Sequence, residues 1–282
     1  AHTGEENVVS QQNAYNRDYL LDSDVEPLRL ERQARIYGFE DDLAHLAPAP
    51  TDHVLDAGCG SGAITRAIAG RVPQGTATGL DRSAQYIDFA RRAAAGEGVL
   101  NTRFEIGDVT GLPFPDASFD VVWSKHLLQW VKEREAALAE FRRVCRPGGR
   151  IVACNFDHFG VVQYPEDARF TADMERWFAA AQAEMGFDNR MGRKLPHLFA
   201  QAGLKDIRVR FIPDACFGGF GGDPEKRWNW ETQFTSLLGF SAKVFGSHKA
   251  AVDFRDRLVE RFSRPDVYSY CALFYVEGRV PG

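Results

Sequence analysis

The chain has 282 residues, 44% of them hydrophobic and 26% charged, and a formal net charge of −5. That composition excludes wholesale disorder, and the acidic balance argues against a nucleic-acid scaffold, which needs a basic excess. The length suits one large domain, or one domain with an added cap, that buries its core without staples.

The first twenty residues are polar and carry no basic-then-apolar leader, and apolar stretches such as Cys271–Val276 are far too short to cross a bilayer. Five widely spaced cysteines, Cys59, Cys145, Cys154, Cys216 and Cys271, form no CxxC pair. They read as free thiols in a reducing compartment, so a cytoplasmic protein with no structural metal is expected.

A helical pattern runs from Glu26 to Leu46 through Leu28, Ile36, Phe39 and Leu43, and Pro48 and Pro50 end it. Strands and helices then alternate. The spacing predicts strands at His53–Ala57, Thr76–Leu80, Thr102–Ile106, Phe119–Trp123 and Arg150–Asn155. Between them lie helices at Ala63–Val72, at Ser83–Ala95 with Ser83 as N-cap, and at Lys132–Cys145. This alternation implies right-handed crossovers and a mostly parallel sheet with helices on both faces.

The last third differs. One helical pattern passes through Met174, Trp177, Phe178, Ala181 and Met185, and another through Leu195, Leu198, Phe199 and Ala202. Strands are expected at Ile207–Phe211 and Tyr268–Val276, an antiparallel pair across a long connection that contains a glycine-rich loop and a helix with Phe254, Leu258 and Phe262.

The chemistry concentrates after the first strand, in Val54-Leu55-Asp56-Ala57-Gly58-Cys59-Gly60-Ser61-Gly62. Glycines there let the backbone turn sharply and bring main-chain N–H groups close to a ligand. Asp81, ending the second strand, is placed to accept hydrogen bonds from ribose hydroxyls. Gly58-x-Gly60-x-x-Ala63 also fits the dinucleotide fingerprint, so an NAD(P)-linked oxidoreductase is a rival. Asp56 argues against it: a carboxylate there repels a pyrophosphate and suits a ligand that carries an ammonium group. Gly107-Asp108 follows the third strand, where Asp108 can accept from an adenine amino group, and Pro147-Gly148-Gly149 leads into the fifth strand.

Together these features, from about Asp52 to Asn155, resemble the class I S-adenosylmethionine (SAM) methyltransferases. The resemblance implies a Rossmann-like seven-stranded, mostly parallel sheet with an antiparallel last strand. It implies SAM as cofactor and S-adenosylhomocysteine (SAH) as product. Asp56, Gly58, Cys59 and Gly60 match the part that holds the methionyl group, and Asp81 matches the ribose-binding acid. Arg82 and Ile87 match positions beside the adenine, and Asp108 and Val109 the adenine-edge pair. Ser124, Lys125 and His126 match the segment whose backbone approaches the methionyl amine. The implied organisation is an N-terminal helical lid or arm over residues 1–48, then a SAM-binding domain over 49–282 with acceptor-binding cap insertions at about 157–203 and 214–265.

Arg29 and Gln33 share one helical face, and with Tyr19 they are candidates to bind or cover the SAM carboxylate. Aromatic residues crowd the region after the fifth strand, and Tyr164, Trp177, Phe217 and Phe220 are candidates to line a pocket for a small, flat or hydrophobic acceptor. His126 and His158 follow the fourth and fifth strands, whose ends face the ligand crevice of an open parallel sheet, so either is a candidate general base. The motifs of DNA-amino, cytosine-C5 and protein-arginine methyltransferases are missing, and no acidic cluster suggests a metal. A small-molecule partner is therefore expected, with no nucleic acid and no membrane, and a tyrosine-rich N-terminal arm leaves a homo-oligomer open. A SAM-fold binding module, or an enzyme using SAM without net methyl transfer, as in a cyclisation, is the remaining alternative.

Overall fold

A computed structural model describes residues 25–219 and 223–282. Its centre is a seven-stranded sheet in the order β3-β2-β1-β4-β5-β7-β6. The strands are β1 His53–Ala57, β2 Thr76–Asp81, β3 Thr102–Ile106, β4 Phe119–Lys125, β5 Cys145–Tyr164, β6 Lys205–Phe217 and β7 Tyr268–Arg279. β1 to β5 run parallel, and β7 inserts antiparallel between β5 and β6. The expected architecture, with its antiparallel last strand, is therefore observed.

The central strands β1 and β4 are buried along nearly their whole length because both their faces are covered, while in edge strand β3 only Phe104 is buried. Alternate residues serve two cores. Leu55, Val122 and Ile151 join Leu138 and Phe141 of helix α5 (Arg134–Val144) and Leu195 and Phe199 of helix α7 (Met191–Gln201). On the other face, Val54, Val121 and Val152 pack with Leu43 and Leu46 of helix α2 (Glu40–Leu46) and Ile68 of helix α3 (Ala63–Arg71). Helix α4 (Ala84–Glu97) packs Ile87, Ala90 and Ala94 on Phe104 and Cys59. Ser83 caps α4 as expected, its side chain accepting from the Tyr86 N–H.

A further core lies off the sheet. Helices α6 (Ala168–Met185), α8 (Pro224–Ser236), α9 (Leu238–Phe245) and α10 (His248–Ser263) bury Met174, Trp177, Phe234, Phe240, Phe254 and Leu258 among themselves. These four helices form a cap. The second helical pattern expected within the 157–203 insertion, now α7, packs on the sheet instead.

Three features depart from the sequence reading. The single helix expected over Glu26–Leu46 is two: helix α1 (Glu26–Tyr37) and α2, parted at Gly38 with φ 69°. The buried positions of α1 are Glu26, Pro27, Arg29 and Glu31, while Leu28 is exposed. The apolar spacing thus pointed to the wrong face. β5 continues beyond Asn155 to Tyr164, with a bulge between Asp157 and Val162 where it pairs with β7.

Phe141 is fully buried between α5 and the sheet, whereas Leu100 is 94% exposed. Phe141→Ala should cost about 3–5 kcal/mol of unfolding free energy, and Leu100→Ser should stay within about 0.5 kcal/mol of the parent. Urea titration of both variants checks the pair.

Candidate active site

The sheet order reverses between β1 and β4, and the crevice at the carboxyl ends of those strands is where an open α/β sheet binds ligands. The glycine-rich loop leaves β1 there. The Gly58 and Cys59 N–H groups both donate to the Leu80 carbonyl, at 2.8 and 3.0 Å, which pins the loop to the end of β2. Gly58 and Gly62 have φ of 76° and 73°. A Cβ on Gly62 would lie 2.6 Å from Phe104 and 2.7 Å from Ala90, so the close seat of α3 against α4 and β3 requires glycine.

Asp81 is held from two sides. One oxygen accepts from the Gly60 N–H at 3.0 Å and the other from the Ser83 N–H at 3.0 Å. Burial raises its pKa, against the pull of those two N–H groups. Asp56 is 3% exposed and accepts from the Thr65 hydroxyl at 2.6 Å. Burial, with the negative charge of Asp81 adding to it, pushes its carboxyl up to about 7. The Cys59 thiol beside them is pushed well above the usual thiol range, chiefly by burial.

At the next strand, Asp108 is exposed and accepts from the Thr110 N–H and hydroxyl at 2.8 and 2.6 Å, while Val109 is buried. Arg82 is exposed at the start of α4, and Ile87 lies within the core beneath that helix.

Unsatisfied polar atoms occur at the end of β4, along β5 and between α6 and α7. Ser124 Oγ, His126 Nδ1, Asn155 Oδ1 and Asn189 Oδ1 are all buried without a hydrogen-bond partner. Buried polar atoms are nearly always paired, so these four, like Glu31 Oε2, Trp123 Nε1 and Gln163 Nε2, are exceptions. Asn155 is fully buried, and its amide N–H donates to Gln129 at 3.2 Å.

His126 and His158 both have left-handed backbones, with φ of 54° and 58°, a conformation that concentrates at functional sites. The His126 ring stacks on Phe156 at 4.1 Å and 9°. Desolvation, with Lys125 adding to it, pulls its pKa well below the ordinary histidine value. His158 is half-buried, and desolvation with Arg190 and Arg193 lowers its pKa too. From Phe156 a series of rings continues to Phe159, then to Trp230 at 5.1 Å and 2°, and on to Phe262 at 5.3 Å and 12°.

The remaining sequence candidates are placed as follows. Arg29 and Gln33 do share a face and hydrogen-bond at 2.5 Å, but the guanidinium also binds both oxygens of Glu26 and the Asn229 side chain. Trp177 is 3% exposed in the cap core and donates to the Ser241 hydroxyl at 3.0 Å. Tyr164 is 70% exposed. Tyr19, Phe220 and the side chain of Phe217 lie outside the described residues.

A family profile described as a methyltransferase domain matches residues 55–153. Over 236 residues the chain is 36% identical to an uncharacterized methyltransferase of Schizosaccharomyces pombe, spanning 82% of this chain and 84% of that one. The chain belongs to the class I SAM-dependent methyltransferases. It is also 33% identical over 174 residues to the O-methyltransferase cnsE of Penicillium expansum, covering 59% and 57% of the two chains. Among solved structures, phosphoethanolamine N-methyltransferase 2 of Haemonchus contortus, in complex with phosphomonomethylethanolamine and SAH, shares the fold. Its TM-score is 0.61 at 16% identity, over 95% of this chain and 60% of that one.

Family membership removes the oxidoreductase rival and makes SAM the cofactor of this methyltransferase. The crevice suits it: a glycine loop presenting main chain, an acidic pair at the ends of β1 and β2, and the unpartnered Ser124 hydroxyl at the end of β4. Among the described residues no helix is long and apolar enough to cross a membrane, and no acidic, histidine or cysteine cluster could hold a metal ion.

Sequence reasoning passed over Asn155, Gln129 and Asn189. They sit in no motif, and only the fold shows that the Asn155 amide donates to Gln129 and the Asn189 amide to the Phe159 carbonyl of the same strand.

Asp56 supplies a test by pH. Its carboxyl ionises near the ordinary value of 3.8 in the unfolded chain and at about 7 in the folded one. Across that window the folded state lags in losing its proton, so stability falls as pH rises and then levels off. At about 1.4 kcal/mol per pH unit, the penalty reaches about 4 kcal/mol above pH 7. Asp56→Asn should therefore be more stable than the parent at pH 8, with the gap closing toward pH 4. Denaturant unfolding across that range measures it.

Proposed function

We propose that this methyltransferase moves the methyl group of SAM to a small aromatic or hydrophobic molecule seated against Phe156, Phe159 and Trp230. The observation that carries this reading is the run of ring contacts from His126 through Phe156 and Phe159 to Trp230 of the cap, with the unpartnered Asn155 oxygen on the same strand as Phe156 and Phe159. Rings supply apolar area for a flat guest, and convergent polar groups fix its orientation. The name of the Penicillium expansum relative, an O-methyltransferase, supports an oxygen nucleophile, and a neutral base favours a hydroxyl, which has a proton to lose.

Each part of the crevice has its own task. Asp56, Gly58, Cys59, Gly60 and Ser124 hold the methionyl end, where the buried Asp56 carboxylate meets an ammonium group. Asp81 accepts from the ribose hydroxyls with the lone pairs that the Gly60 and Ser83 N–H groups leave free. Asp108, Val109 and Arg82 border the adenine. Bound SAM supplies a methyl carbon already activated by its positive sulfonium. The protein's share is alignment, exclusion of water and removal of the hydroxyl proton. His126 is the base: its lowered pKa keeps the ring neutral, and Nδ1 is free to accept a proton. His158, at the rim of the β5 bulge, is the second candidate.

Calorimetric titration with SAM, SAH and NAD(H) should show binding of the two sulfur ligands alone, lost in Asp81→Ala. Mass spectrometry of reactions with phenols, hydroxylated polycycles, amines and carboxylic acids then tests the acceptor. Methylation confined to carboxylic acids or amines, or methyl transfer to protein or RNA, would overturn the reading. With a phenolic acceptor, His126→Ala should lower kcat about 100-fold or more, while SAH affinity is retained. The parent rate should hold below pH 6.5, where an ordinary histidine would already be protonated. A pH–rate profile that breaks at 6.5 or above would remove His126 as the base.

A further inference from the structure

The charged residues buried on α1 need a reason. Glu26 is 0% exposed and Arg29 2%. A desolvated ion pair of this kind adds little net stability, because the loss of hydration offsets the attraction. Its geometry is specific, however. Glu26 takes two of the guanidinium N–H groups, Gln33 takes a third, and the fourth reaches across to Asn229 Oδ1 of α8 at 2.8 Å. Asn229 is itself 2% exposed. Arg32, one position from that face, places its guanidinium 4.3 Å over the Trp228 ring of the same cap helix.

The opposite side of α1 is tied to the cofactor loop. Leu30 rests on Gly60, where an added Cβ would lie 3.1 Å from Leu30 Cδ1. Arg66 of α3 donates to Glu31 at 2.7 Å and to the Ser61 carbonyl of the loop at 3.1 Å. α1 is therefore bolted to the glycine loop on one side and to the cap on the other. α8 in turn carries Trp230, stacked on Phe159 at the end of β5.

We propose that Arg29 and Asn229 are positioning residues that latch α1 to the cap, so that the helix lying over the cofactor loop and the wall of the acceptor site move as one unit. Arg29 then acts through Asn229 and not as a ligand of the SAM carboxylate. The latch makes cofactor retention depend on a residue of the acceptor cap, and linkage makes the coupling reciprocal. An acceptor that orders Trp230 slows cofactor loss, and a bound cofactor that holds α1 down orders the cap. The proposal rests on the placing of SAM at the glycine loop.

The test follows SAH release by stopped-flow tryptophan fluorescence and α1 amide exchange by hydrogen–deuterium mass spectrometry, on the full chain. Asn229→Ala should speed SAH release about tenfold, the scale of one lost hydrogen bond to a charged group, and accelerate exchange in α1. Asn229→Asp keeps the acceptor oxygen before Arg29 and Arg32, and should restore slow release. Arg32→Ala breaks the second tie and should speed release about threefold. It carries the test if Asn229→Ala shows no cooperative thermal transition. Release from Asn229→Ala or Arg32→Ala within about twofold of the parent, with α1 exchange unchanged, would overturn the latch. So would an Asn229→Asp protein as fast as Asn229→Ala. A parent protein that binds no SAH would overturn the cofactor placing itself, and the latch with it.

Discussion

The site depends on the tie between the glycine loop and the end of β2. Two loop amides share the Leu80 carbonyl, and a third reaches the Asp81 carboxylate. The loop is thereby fixed to the strand that delivers the acid, and the acid is fixed to the first turn of α4 through Ser83. The cradle and the acidic group that faces it cannot drift apart, since each is the other's hydrogen-bond partner. The close packing of Gly62 on Phe104 and Ala90 extends the constraint to β3. In this way the edge of the sheet, two helices and the loop form one rigid support, as precise placement of a reacting carbon requires.

Against that support stands a second unit with its own core. The cap buries its aromatic residues among α6, α8, α9 and α10 and is tied to the rest through β5, α1 and the segment after β4, where Trp130 meets Phe187 and Arg134 donates to the Gly186 carbonyl. Its core does not depend on the parallel strands. The two units therefore need specific contacts to hold a common geometry. The ring stack from His126 to Trp230 is one such contact, and the polar ties of α1 are another.

Much of this was legible in the sequence, for physical reasons. β1, buried along nearly its whole length, and edge strand β3, which buries only Phe104, both begin and end where the residue pattern places them. The loop motif is legible because its glycines are required by positive φ and close packing, and few other residues meet those demands. α1 was misread because hydrophobic periodicity assumes that the buried face is the apolar one, whereas here Glu26, Arg29 and Glu31 are inside. Trp177 was offered to the pocket because ring composition does not separate a wall from a core. Its N–H, satisfied by Ser241 some 64 residues away in sequence, is a partnership only the fold displays. Asn155 is invisible for the same reason: an asparagine in a strand is ordinary until its oxygen is seen to be buried and alone.

Strained and unpartnered groups also occur elsewhere, at Ala47, Ala117, Asp206 and Glu31, yet the loop and the strands that face it differ in how far they are satisfied. The loop and the end of β2 are saturated with short, well-formed hydrogen bonds, and their glycines carry the positive φ angles at no steric cost. β4, the residue after it and β5 show the opposite: two histidines in left-handed conformations, a bulge, and buried polar atoms without partners on Trp123, Ser124, His126, Asn155 and Gln163. Each of these costs free energy in an isolated fold. They are tolerated together because the neighbouring strands over-determine the backbone, with the His126 N–H donating to the Cys154 carbonyl and the His158 N–H to the Asn189 carbonyl. A rigid half that binds one standard ligand and a strained half that awaits a particular one is the division of labour expected when a shared cofactor serves many acceptors. In the proposed reading the choice of acceptor falls to the strained half, where the His126 N–H is bonded to the Cys154 carbonyl of β5, next to the unpartnered Asn155 oxygen.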